Sequence, residues 1–361
     1  LLAGLTKYPL LMLYAVTGQT VPEGFAGDAV LGAIVLFIAL SLLYTYIGGV
    51  KAVIWTDAVQ FILFLTGGVF AVCYIPALVE GGWSAVMGEA AAGGKLHWLN
   101  LQFTWSAPFN IWMGIIGGTI QVMSSHGAEQ LIVQRVLACK TVADGRKALV
   151  LSAVFIFPLF LVFLLAGAML WVFYQHHPLQ IPLPPVRPGS GIAANDFIFP
   201  IFMLTEVPVL LRGFLIVAIL SAAMSSVSSA LTSLASVSTM DFVRHMFGGR
   251  RSEEFYLRFS KYSTVFWAVA LILVAYLSRE VAFVLNAAFS LRGLTSGALL
   301  GGLLLAMFWK KGSPVPVVGG MTASLLVMTA IQVLPRWGVT RGFWNQAVGS
   351  EIFWPWYTLI G

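Results

Sequence analysis

Charge is the scarcest property of this 361-residue chain. Asp, Glu, Lys and Arg together make up 9% of it, against roughly 25% in soluble domains. A soluble protein of this length needs a charged surface. An ordinary soluble enzyme, a disordered chain and a nucleic-acid-binding module are therefore excluded. Cysteine is nearly absent too. Cys73 sits in an apolar run and Cys139 in a basic loop, so no disulfide framework is implied. The five histidines, His97, His126, His176, His177 and His245, are scattered. No metalloprotease, phosphate-loop or dinucleotide fingerprint is present, and the chain is not expected to be an enzyme. It opens Leu1-Leu2 without Met or a signal peptide and ends at Gly361 inside an apolar run. It therefore reads as an interior piece of a longer chain.

What is abundant is apolar side chain, 59% of the residues. Continuous runs of bilayer-crossing length recur. They do not alternate as the strands of a membrane barrel would. The expected class is an all-α polytopic membrane protein with eight complete and two partial spanning segments. The segments are 1–16, 28–47, 53–79, 107–126, 149–174, 207–238, 262–277, 281–309, 315–334 and one from 352 onward. Gly48-Gly49, the Pro-rich stretch 177–188, Gly248-Gly249 and Gly312-Ser313-Pro314 separate neighbours, because Gly and Pro stop helices.

The net charge of +6 is explained by topology rather than by an acidic partner. Lys51 and the stretches 135–147, 244–261 and 310–311 hold twelve basic residues, and the alternate loops hold six. The richer set is expected in the cytoplasm.

Some residues do not belong in lipid. Five serines lie between Ser221 and Ser229. On a helix Ala222, Ser225 and Ser229 share a face, with Ser226 beside them and Ser228 beside Ser225. Such a stripe suits close helix packing. It equally offers hard, neutral oxygens which, with one carboxylate, suit a small hard cation such as sodium. Asp57 is the available carboxylate, and it has two readings. An acid in a spanning segment marks function, or it caps the helix that follows Gly48-Gly49. The run Gly114 to Gln121 reads either as an unwound stretch lining a substrate cavity or as small-residue packing. Gln121, Ser125, Asn286 and Phe289 are the substrate-site candidates. Arg292, in an apolar run, either reaches an interface or pairs with an acid.

Three blocks resemble the sodium/solute symporter family. The first is YTYIGGVKAVIWTDAVQ, from Tyr44 to Gln60. The second is EQLIVQRVLA, from Glu129 to Ala138. The third is the Ser-rich segment closing with Ser238-Thr239-Met240-Asp241. The resemblance runs over essentially the whole chain. It implies a LeuT-like fold of two inverted five-helix repeats, here truncated at both ends. Residues 1–79 would be the remainder of the first repeat, 107–309 the second, and 315–361 peripheral helices of a single transmembrane domain, 1–361. The first two core helices would precede Leu1.

It also implies a secondary active transporter: sodium-coupled symport of a small organic solute by alternating access. The Ala222 carbonyl and the hydroxyls of Ser225 and Ser226 match the main sodium site. Asp57, Ser225, Ser228 and Ser229 match a second site present in some members, for one or two sodium ions in all. Where sugar-binding members carry Asn, Tyr and Lys, this chain has Val122, Ser125 and Ile156, so the sugar pattern is not reproduced. The expected partners are the solute, sodium and the lipid bilayer, with no nucleic acid and no obligate protein partner. The expected location is a cell membrane, the bacterial inner membrane. The competing readings are a transporter-like sensor module of a signalling protein and a proton-coupled carrier in which Asp57 takes the proton.

Overall fold

The computed structural model describes residues 23–97, 99–106, 109–181, 183, 197–278, 284–309, 313–349 and 351–361, and their side chains except those of 23–30 and 284–286. Segment 1–16, much of the Pro-rich stretch and the basic residues Arg187, Arg279, Lys310 and Lys311 lie outside the described residues. Within them all regular structure is helical. The long helices are α1 (Glu23–Ala77), α5 (Val142–His176), α7 (Val209–Val237), α8 (Glu253–Leu277), α9 (Val284–Phe308) and α10 (Pro314–Val333). These six have the length and hydropathy to cross a membrane. Between them lie the shorter α2 (Gly82–Ala92), α3 (Thr119–Gly127), α4 (Gln130–Leu137) and α6 (Ile198–Thr205), and after α10 come α11 (Gly338–Ala347) and α12 (Tyr357–Ile360). A π-helix, Met113–Gly118, leads into α3, and a second, Ser238–Val243, extends α7.

Segments 28–47 and 53–79 are two helices, the halves of α1, which meet at Gly49 with a non-helical φ of 57° and ψ of −154°. That backbone region is essentially reserved for glycine. The break reverses the chain. Tyr44 Oη donates to the carbonyl of Met224 at 3.2 Å, and Asp57 accepts from the next residue, Ser225. In a straight helix, positions 44 and 57 would be about 20 Å apart, too far to reach adjacent residues. A hairpin at Gly49 brings them together.

The helices group into two compact units. The first contains residues 1–96 and 150–282. One core gathers Ala71 and Ile75 of α1, Val86 of α2, Met169 and Phe173 of α5, Phe202 of α6 and Leu215 of α7. A second joins Ile34 and Ile38 of α1 to Ala223, Val227 and Leu231 of α7 and Ala268 of α8. The i, i+4, i+8 spacing of Ala223, Val227 and Leu231 places them on one stripe. Hydroxyls within these helices donate back along the backbone, Ser41 to Phe37 O at 3.0 Å and Thr45 to Ser41 O at 2.7 Å. This meets their hydrogen-bonding need without water.

The second unit contains residues 97–149 and 283–361. Asn110 opens its first helical run, with Oδ1 accepting from Met113 N at 2.9 Å. Glycine then permits close approach. A Cβ at Gly117 would overlap the Pro355 carbonyl, one at Gly297 would overlap Gly361, and one at Gly293 would lie 2.8 Å from the Tyr357 side chain. Hydroxyls complete the contact: Ser124 donates to Ser296 O at 2.8 Å, and Ser296 pairs with Thr358 at 2.7 Å. The Gly-rich run beginning at Gly114 is thus a π-helix rather than an unwound stretch. Gly117 serves the small-residue packing that was one of its two readings.

Candidate cation site and substrate-site residues

Asp57 lies eight residues beyond the kink at Gly49, more than two turns into its half of α1. It is therefore not a cap, since dipole effects fade beyond the first turn. Ser225 Oγ donates to its Oδ1 at 2.6 Å, a charge-assisted bond in the short range expected for a carboxylate acceptor. The carboxylate faces α7, where the serine stripe lies.

The stripe divides by exposure. Ser228 and Ser229 are buried, and both hydroxyls donate to the carbonyl of Ser225, at 3.1 and 2.6 Å. Donation uses the proton and leaves oxygen lone pairs for a cation. Ser226 is exposed, and its hydroxyl lies 3.4 Å from the Ala222 carbonyl it donates to. The Ala222 and Ser226 oxygens thus sit together on an open face, while Ser228 and Ser229 turn toward the Ser225 carbonyl and the Ser225 hydroxyl turns to Asp57.

Two residues join this site that the sequence reading had not assigned. Tyr44 Oη donates to the Met224 carbonyl at 3.2 Å, one residue from Ser225. Gln60 is only 9% exposed, and its Oε1 has no hydrogen-bond partner among the described residues. A buried orphan acceptor is costly, and an oxygen-seeking cation would relieve it. The i+3 spacing from Asp57 to Gln60 was the available signal, because it places both on one helix face. The candidate donors are hydroxyl, carbonyl and amide oxygens with one carboxylate. No group of three or more His, Cys, Asp and Glu assembles among the described residues. A hard donor set with one negative charge fits a monovalent hard cation better than a transition metal.

The substrate-site candidates belong to the second unit. Gln121 is half-buried on α3. Ser125 is buried, donates to Val122 O at 3.1 Å and lies 2.8 Å from His126 Nδ1. Phe289 stacks on Trp354 with centroids 4.5 Å apart. Asn286 lies on α9, and its side chain is outside the described residues.

Arg292 takes the second of its two readings. Its Nε and terminal nitrogen donate to the two carboxylate oxygens of Glu129 at 2.7 and 2.9 Å. Glu129 precedes α4 without capping it by its side chain, and turns to α9 instead. The fork ties the end of α3 to α9. Arg292→Ala strands a carboxylate that is only 19% exposed. With Arg292 itself one-third exposed, the expected loss is about 2 kcal/mol, below the full cost of a buried pair. Glu129→Gln with Arg292→Gln should recover more than half of it, as thermal unfolding in detergent would show. Equal losses in the single and double variants would refute the coupling.

The model of the sodium:solute symporter family matches residues 16–326. The sodium/sialic acid symporter of Proteus mirabilis is 30% identical over 322 residues, covering 87% of this chain and 62% of that protein. The sodium-dependent multivitamin transporter of Oryctolagus cuniculus is 31% identical over 326 residues, covering 88% and 48%. A solved structure of the substrate-bound outward-open state of a Na+-coupled sialic acid symporter superposes with a TM-score of 0.74 at 25% identity, over 99% of this chain and 68% of that one. This chain thus spans about half to two-thirds of the length of these relatives.

Proposed function

Because the chain belongs to the sodium:solute symporter family, with its LeuT-like fold, we propose that it works as a secondary active transporter coupling sodium entry to uptake of a small organic solute. The observation that carries this reading is the pairing of Asp57 with Ser225 at 2.6 Å, on a helix whose neighbouring hydroxyls converge on the same turn. One sodium ion is assigned to the Ala222 carbonyl with the Ser225 and Ser226 hydroxyls. A second is assigned to Asp57 with Ser228 and Ser229, with the Gln60 amide oxygen nearby. Residues 1–79 and 107–309 are taken as the two repeats that rock against each other, with 315–361 peripheral. Binding of sodium would favour the state that accepts solute, and rocking would then expose both to the cytoplasm.

The solute-binding residues are proposed among Gln121, Ser125, Asn286 and Phe289. Relatives are named for sialic acid and monocarboxylates. A small organic acid is therefore the first solute class to test.

Uptake into proteoliposomes, with and without an imposed sodium gradient, tests the reading. Solute accumulation that ignores sodium and follows a proton gradient would overturn it in favour of the proton-coupled carrier. Ser226→Ala removes one hydroxyl ligand on the open face. Loss of one charge-assisted contact costs about 1.5 kcal/mol, so the sodium concentration for half-maximal uptake should rise about tenfold. Since Ser226 is exposed, unfolding temperature should hardly move. An unchanged sodium dependence would remove Ser226 from the site.

A further inference from the structure

The loop between α7 and α8 carries a built cleft that the transport reading does not use. It encloses about 550 Å³ and is lined by His245, Met246, Phe247, Gly248, Arg250 and Arg251. Gly248 and Gly249 both have positive φ, 55° and 69°, which turns the chain tightly and leaves the cleft without Cβ atoms there.

The acids around it are already engaged. Glu253 is held by Arg244 at 3.2 Å and Glu254 by Arg258 at 2.6 Å. Asp241, exposed, lies further back on the π-helix. Among the described residues, neither Arg250 nor Arg251 forms an ion pair. The Arg251 guanidinium instead lies over the rings of Phe247 and Phe255, at 5.1 and 5.7 Å. Stacking covers the guanidinium faces and leaves its N–H edge to oxygens.

Helix length sets the level of this loop. The 25 residues of α8 measure about 37 Å, while a bilayer with its headgroups is about 40–45 Å thick. The loop that precedes α8 therefore lies at one end of a membrane-spanning length, on the side that the loop charges assign to the cytoplasm. Phe242 and Met246, four residues apart, are 64% and 75% exposed, and Met246 lines the cleft itself. Cations and exposed apolar side chains at one cleft match a lipid, which offers a phosphate headgroup and acyl chains together.

We propose that this cleft binds the phosphate headgroup of an anionic phospholipid of the cytoplasmic leaflet. The site stands independently of the transport reading. The test reconstitutes the protein in nanodiscs of equal parts phosphatidylglycerol and phosphatidylcholine, then follows lipid retention by native mass spectrometry after transfer to detergent. Wild type should retain phosphatidylglycerol in preference to phosphatidylcholine. Arg250→Gln with Arg251→Gln should bind it about 30-fold more weakly, about a factor of five for each basic residue near an anionic surface. Arg341→Gln, which removes a basic residue of the opposite set of loops, should retain it. Equal retention of the two lipids by wild type, or equal phosphatidylglycerol retention by wild type and the double variant, would overturn the proposal. Displacement by millimolar inorganic phosphate would also overturn it, by marking a site for free anions. If the double variant does not fold, the wild-type lipid preference decides the matter.

Discussion

Asp57→Asn is expected to move one charge fewer per solute molecule than wild type. The substitution keeps the size of the side chain and an oxygen that can still accept from Ser225 Oγ, now 2.6 Å away, so α1 and α7 should remain paired. What goes is the formal charge beside Ser228 and Ser229. A carboxylate at this depth carries a large cost unless a cation or proton meets it, and the amide removes the reason for that ion to bind. At about 100 mV each transported charge contributes about 2.3 kcal/mol. Losing one lowers the attainable accumulation ratio by about 50-fold. The ratio of charge to labelled solute in voltage-clamped proteoliposomes measures this directly. Equal ratios in wild type and Asp57→Asn would eliminate the second ion. A variant that keeps its sodium dependence but loses a pH dependence would assign Asp57 to a proton instead.

The long apolar elements were legible because length and hydropathy are local properties. The serine stripe was legible as a face for the same reason, since i, i+3 and i+7 fix neighbours on a helix. The direction of each hydroxyl was not. Ser228 and Ser229 both turn to the Ser225 carbonyl, the nearest acceptor in a helix with little water. Asp57 had two readings because a cap and a buried acid look alike in sequence. Its distance from the Gly49 kink separates them. Residues joined across long sequence separations stayed hidden. Arg292 stood out as a charge in an apolar run, but Glu129 lies 163 positions away, and only the fold chooses it. Gly117 meeting Pro355 is of the same kind. The short helices α2, α4, α6 and α11 escaped because segments of 8–11 residues fall below the length at which bilayer crossing makes a signal.

The hairpin at Gly49 carries the second large effect. Gly49→Ala places a Cβ on a backbone at φ 57° and ψ −154°, where strain costs about 3 kcal/mol in a residue other than glycine. The neighbourhood is open, with nothing within 4 Å of that Cβ, so the cost comes from backbone conformation and not from packing. Gly32 is the internal control. It lies in the same element, also with nothing within 4 Å of an added Cβ, but without positive φ. Gly32→Ala should stabilise the helix by about 0.5–1 kcal/mol. One chemical change thus has opposite signs at two positions of α1. The strain also reaches the cation site, because only the reversal lets Tyr44 and Asp57 meet Met224 and Ser225. Gly49→Ala should therefore lower both the unfolding temperature and the sodium affinity, while Gly32→Ala leaves the affinity unchanged. If both variants shift the unfolding temperature in the same direction, the left-handed backbone at Gly49 is not what folds α1 back onto α7.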